Sequence, residues 1–185
     1  MRSALFARAT RTVAVGATAA ALTVGLATSA SAATATRTVT VSGTTYNLSL
    51  TAPESLSAAG QNITVSGRGY NTVQGIYIGL CVIPDGVEAG NPSTYTSRPT
   101  PCLGGADESG TTGASHWVSN FGGGTVANSS RYGSDGSFSV NVHVNPTIAD
   151  GQVCGTDVEC AIVTRADHTA SGTRSYDVYV PVTFS

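Results

Sequence analysis

An all-β sandwich is the fold this sequence predicts, and three observations carry that prediction. Apolar residues recur at every second position, turn residues punctuate the chain at short intervals, and no apolar 3.6-residue repeat of ten or more residues occurs after residue 33. The clearest strand is GSFSVNVHV, in which Phe138, Val140, Val142 and Val144 share one face and Ser139, Asn141 and His143 the other. SYDVYVPVTF repeats the pattern through Tyr176, Val178, Val180, Val182 and Phe184; Pro181 lacks an N–H and places this strand at a sheet edge. Shorter alternations fall at Val39/Val41, Tyr46/Leu48/Leu50 and Ile63/Val65. Residues 76–83 (IYIGLCVI) and CAIV from Cys160 to Val163 are apolar on both parities and read as central strands. Turns are expected at Ser42 and Gly43, Ala59 and Gly60, 67–69, Asp135 and Gly136, and Asp150 and Gly151. About seven short antiparallel strands make an immunoglobulin-like β-sandwich the expectation, with a β-barrel as the alternative.

Residues 84–132 interrupt this rhythm. Nearly fifty residues rich in Gly, Ser, Thr and Pro carry little strand pattern beyond 115–121, and they hold Tyr95, the sole tryptophan Trp117, Phe121 and Tyr132. Long loops in compact domains are usually functional or disordered. The insertion reads either as aromatics patching the core edge or as a binding flap over a rigid scaffold.

The chain of 185 residues opens with a leader: Arg2, Arg8 and Arg11, an apolar stretch over 13–26, and an A-x-A site at Ala30, Ser31 and Ala32. That is the secretory pattern, so residues 1–32 are expected to be a signal peptide and 33–185 a single secreted domain. The stretch is shorter than a bilayer-spanning helix needs. Beyond it stand six arginines, no lysine and eleven acids, a formal charge of −5. Such a chain has no general attraction to phosphate backbones or anionic lipid, so neither nucleic acid nor membrane is an expected partner, and a monomer is expected. Cys81, Cys102, Cys154 and Cys160 form an even set in an exported chain and predict two disulfides. Of the three connectivities, the short closures Cys81–Cys102 and Cys154–Cys160 are preferred; a zinc site would want closer pairs than this spacing offers.

No catalytic residue is assigned. The chain has no G-x-S-x-G elbow, no H-E-x-x-H and no Gly-Lys-Ser/Thr phosphate loop, and without lysine it forms no Schiff base. His143 reads as an exposed strand histidine, while His116 and His168 could pair with acids such as Asp167. The carboxylates Asp85/Glu88, Asp107/Glu108 and Asp157/Glu159 lack EF-hand spacing and read as solvated loop charges. No metal and no cofactor is expected, although Tyr and His leave axial haem ligation chemically open.

Three stretches then resemble the neocarzinostatin-like family of secreted actinobacterial chromoprotein apoproteins: LSAAGQNITVSGRGY (56–70), GIYIGLCV (75–82) and VCGTDVECAIVTRAD (153–167). The intervening SDGSFSV and the order of the pieces also match. The resemblance implies an immunoglobulin-like sandwich with two local disulfides and a cleft that sequesters a small apolar chromophore without turning it over, and an antibacterial protein is the expectation that goes with it. It places the cleft floor near Cys81, Ile83, Tyr95, Cys102 and Ala161. Ile83, Tyr95 and Ala161, together with the flap aromatics Trp117 and Phe121, are the expected ligand contacts. The chain departs from the family pattern at Gly90, where the second cysteine is expected, and at Ile83, which replaces a tryptophan. It also resembles immunoglobulin-like modules that accompany haem-transport-associated domains, which supplies a second reading: an extracellular interaction module without a small-molecule site.

Overall fold

The computed structural model describes residues 31–105 and 109–185; most of the leader expected over 1–32 and the loop carboxylates Asp107 and Glu108 lie outside the described residues. Among the described residues eleven strands run in chain order: β1 (Ala32–Val41), β2 (Thr44–Pro53), β3 (Ser55–Leu56), β4 (Gln61–Arg68), β5 (Ile76–Val82), β6 (Ser115–Val118), β7 (Ser129–Ser130), β8 (Phe138–Val144), β9 (Cys160–Ala166), β10 (Val178–Pro181) and β11 (Thr183–Phe184). A four-stranded sheet in the order β1-β2-β4-β8 faces a five-stranded sheet in the order β10-β9-β5-β6-β7, and β11 and β3 form a short parallel pair. The long pairings are antiparallel, as expected of a sandwich.

Alternation explains the packing. Leu48 and Leu50 of β2, Ile63 and Val65 of β4, and Val140, Val142 and Val144 of β8 meet Ile76, Ile78 and Leu80 of β5, Ile162 of β9 and Val178 and Val180 of β10 in one core cluster. Burying each such side chain fully contributes roughly 1.5–3 kcal/mol. On the outer side of the first sheet, Thr34, Thr38 and Thr40 of β1 bond across to Thr51, Asn47 and Thr45 at 2.8–3.0 Å. Ser42 and Gly43, both at positive φ, close the β1–β2 hairpin as a two-residue turn. The expected cleavage point after Ala32 falls at the first residue of β1.

The central strands are where the sequence puts them, since β5 and β9 lie inside the five-stranded sheet and β10 with Pro181 lies at its edge. Both disulfides close locally, Cys81–Cys102 and Cys154–Cys160. Two expectations need correction. Gly67 and Arg68 continue β4 and do not turn. Gly67 pairs with Phe138, and a Cβ there would stand 2.4 Å from the Phe138 ring, so the glycine is present for close approach and not for a bend. The insertion is also more structured than its composition suggests, because β6 and β7 extend the five-stranded sheet.

Candidate functional site

The five-stranded sheet has a second face, turned away from the core. Period two sends Tyr77, Gly79 and Cys81 of β5, Ala161, Val163 and Arg165 of β9, and Tyr179 of β10 to this side. Residues 84–101 fold over part of it as a cap whose two ends are held by β5 and by the Cys81–Cys102 bridge. Val82 N–H also donates to Pro101 O at 3.0 Å, and Leu103 N–H to Leu80 O at 2.8 Å. Between those ends the cap bonds within itself, N–H to carbonyl: Val87 to Pro84, Asn91 to Glu88, Thr94 to Asn91, Tyr95 to Pro92. What holds the cap down is side-chain packing. Val87 and Tyr95 join Cys81, Ala161, Val163 and Tyr179 in a small buried cluster. The Tyr95 ring meets Tyr179 edge-on with centroids 4.7 Å apart, Arg37 of β1 lies 5.0 Å above it, and its Oη accepts from Gly90 N–H at 3.0 Å.

Beside this cluster a groove of about 670 Å³ opens between the cap and the turn over 155–159 that the Cys154–Cys160 bridge closes. Ile83, Val87 and Ala89 form one wall, Val158 and Cys160 another, and Pro181 and Val182 the end. Glu88, Asp157 and Glu159 stand at its rim. A second hollow of about 360 Å³ shares Ile83, Val87, Val158 and the carboxylates Asp157 and Glu159, so the cavity wraps around the tip of the turn. By contrast, the depression over Gly79, between Tyr77, Arg165 and the Cys81–Cys102 bridge, holds only about 10 Å³. A concave, mainly apolar wall with a few polar groups at its edge is the ordinary form of a small-molecule site.

Charge is concentrated under the cap. Asp177 and Tyr179 are fully buried, and neither Asp177 Oδ1 nor Tyr179 Oη has a hydrogen-bond partner. Asp177 Oδ2 accepts from Arg174 Nη1 at 2.9 Å, and Arg37 Nη1 donates to the carbonyls of Arg174 and, at 2.8 Å, Asp177. Burial outweighs the arginines Arg174, Arg37 and Arg165 and pushes the Asp177 carboxyl up to about 7. The same desolvation raises the phenols of Tyr95 and Tyr179.

The sequence-predicted residues divide between two places. Ile83 lines the groove, and Tyr95 and Ala161 lie in the buried cluster directly against it. Trp117 stands at the opposite end of β5, paired with Tyr77, and Phe121 beyond it is 80% exposed. There the expected His168–Asp167 pairing is not made. Asp167 is buried and accepts from Trp117 Nε1 at 3.0 Å, Gln74 Nε2 at 3.0 Å and Thr169, whereas His168 Nδ1 meets Tyr77 Oη at 2.8 Å and His116 Nε2 meets Ser130 Oγ. Asp167 wins those donors because Gly75 leaves room; a Cβ there would sit 2.0 Å from Asp167 Oδ2. Val87 and Val158 were not singled out from sequence, and Val182 was named only for its place in the C-terminal alternation; Val87 carries a faint signal as a lone aliphatic in a polar run. Among the described residues no group of three or more His, Cys, Asp or Glu is placed to hold a metal ion. No described helix is long and apolar enough to cross a membrane.

Comparison with solved structures finds a similarity to macromomycin, at 21% identity over 75% of this chain and 99% of that one, with a TM-score of 0.43. No family model and no curated protein matches the chain.

Proposed function

We propose that this is a secreted, non-enzymatic binding protein that holds a small, largely apolar ligand in the groove between the cap and the 155–159 turn. The observation that carries the reading is the groove itself, about 670 Å³ with Ile83, Val87, Ala89, Val158 and Val182 in its walls. Affinity comes from apolar surface removed from water, roughly 25 cal/mol per Å² before the costs of association. The rim groups orient the ligand; Ile83 touches it, and Tyr95 and Ala161 support the wall from beneath. The sequence resemblance to chromophore carriers points the same way. Native mass spectrometry of the protein secreted by its natural producer tests this. A native mass above the denatured one by a discrete organic increment supports the carrier, and a denatured mass that begins at Ala33 supports export. Apo protein together with no thermal stabilisation by a broad panel of apolar compounds would overturn it.

A second reading, an extracellular interaction module, is favoured by one observation: Phe121, Val73 and Val126 are large apolar residues exposed by 80%, 68% and 41% on loops. Recovery of one reproducible partner that Phe121→Ser abolishes would establish it.

A further inference from the structure

Three features of the cap do not follow from its role as a wall. Among the described residues, 85–98 make no backbone-to-backbone hydrogen bond outside the cap; the ties to the sheet are at its ends, through Val82 N–H to Pro101 O and Arg165 Nη1 to Pro99 O, so no strand ladder resists lifting of its middle. Its seat is the Tyr95 ring, wedged between Tyr179 below and Arg37 above. Two buried polar atoms on this side lack partners, Tyr179 Oη on β10, whose ring meets Tyr95, and Asp177 Oδ1 on the residue just ahead of β10, whose carbonyl accepts from the same Arg37 that covers Tyr95. A buried carboxylate with one oxygen unsatisfied is far more costly than a neutral carboxyl in the same place.

We infer that Asp177 is a pH-dependent latch for the cap: while its carboxyl is protonated Tyr95 stays seated, and its ionisation favours a lifted cap in which water reaches the charge. This rests on the groove reading, because Val87, Glu88 and Ala89 of the cap form one wall of that groove, so the latch sets whether the site is complete. The groups facing Asp177 are Arg174 on its own segment, Arg37 on β1, Arg165 on β9, and Tyr95 and Tyr179; Arg98 on the cap faces Arg165. Three arginines favour the carboxylate, yet only Arg174 reaches it through a side-chain bond, since Arg37 is spent on two backbone carbonyls.

The sign follows from linkage. The buried carboxyl titrates at about 7 and an exposed one near 4, so the closed cap holds the proton more tightly. Closure is then fully favoured below about pH 4 and weakens as pH rises toward 7. If lifting exposes the group, the opening constant rises by at least about fivefold from pH 5.5 to 7.5.

Hydrogen–deuterium exchange on the intact mature protein, corrected for intrinsic rates, reads this directly at the amides of Val87, Gly90, Asn91 and Tyr95. The expected result is that their protection falls by at least about fivefold between those pH values while β5 and β9 stay unchanged, and that Asp177→Asn removes the dependence. Equal protection at both pH values overturns the latch, as does a dependence that survives in Asp177→Asn. If that variant does not fold, the wild-type pair of pH values decides alone. The same samples titrated with a neutral naphthol separate the two proposals. Naphthol binding without pH-linked exchange sinks the latch and leaves the carrier; pH-linked exchange without any binding across the panel sinks the carrier and leaves the latch.

Discussion

The two faces of the five-stranded sheet are built by different rules. The inner face is aliphatic and packs Ile76, Ile78, Leu80, Ile162, Val178 and Val180 against the opposing sheet. The outer face carries a small cluster whose members come from β5, β9, β10 and a cap, and its lower layer includes a buried carboxylate and a buried phenol with unpartnered oxygens. The inner face has what a stable sandwich requires. The outer face tolerates features that lower stability, and such features are more readily kept where a surface has to bind or move.

Substitutions on each face turn that difference into numbers. Leu80→Ala on the inner face, with no exposure in the native state, should lower the unfolding free energy by about 3–4 kcal/mol in urea titration. A loss under about 1.5 kcal/mol would mean that the inner face is loosely packed and the contrast is overstated. Removing the bridges probes the loops next. Replacing Cys81 and Cys102 by serine should cost about 3 kcal/mol and replacing Cys154 and Cys160 about 2 kcal/mol, since the closures span 21 and 6 residues. Calorimetry reads the order of the two, and an inverted order would place the 155–159 turn, not the cap, at the centre of stability.

Tyr95→Ala sharpens the comparison most. Although Tyr95 is as buried as many core residues, its loss should cost less than about 1.5 kcal/mol of global stability, while cap amides lose most of their protection from exchange. If Tyr95→Ala destabilises as much as Leu80→Ala, the cap belongs to the core and the two faces are one system. Thr38→Ala on the exposed β1–β2 ladder sets the floor: its bond to Asn47 at 2.9 Å lies in water, and the change should stay within about 0.5 kcal/mol.

Much of the inner face was legible in the sequence, and the reason is geometric. Period two writes a one-sided burial pattern directly into Phe138 to Val144, and double-parity runs such as IYIGLCVI announce strands flanked on both sides. The disulfides were readable because four cysteines with short closures favour local pairs. The outer face was not legible to the same degree. Asp177 and Tyr179 sit on the parity that reads as solvent-facing, and only the cap, with Arg37 from the far end of the chain, makes that side an interior. Trp117 drew attention as the sole tryptophan of a loop, but its indole is fixed by a buried Asp167 whose access depends on Gly75, a contact no spacing rule predicts. The groove walls Val87, Val158 and Val182 come from three separate turns and strand ends, and nothing local marks them as neighbours.

Methyl-resolved NMR of residues 33–185 titrated with a neutral naphthol tests the central claim most directly. The account predicts saturable shifts at Ile83, Val87, Val158 and Val182, with the core methyls of Val140 and Val142 unmoved. Unmoved groove methyls across an apolar panel at millimolar concentrations, or shifts confined to Val73 and Val126, would contradict it.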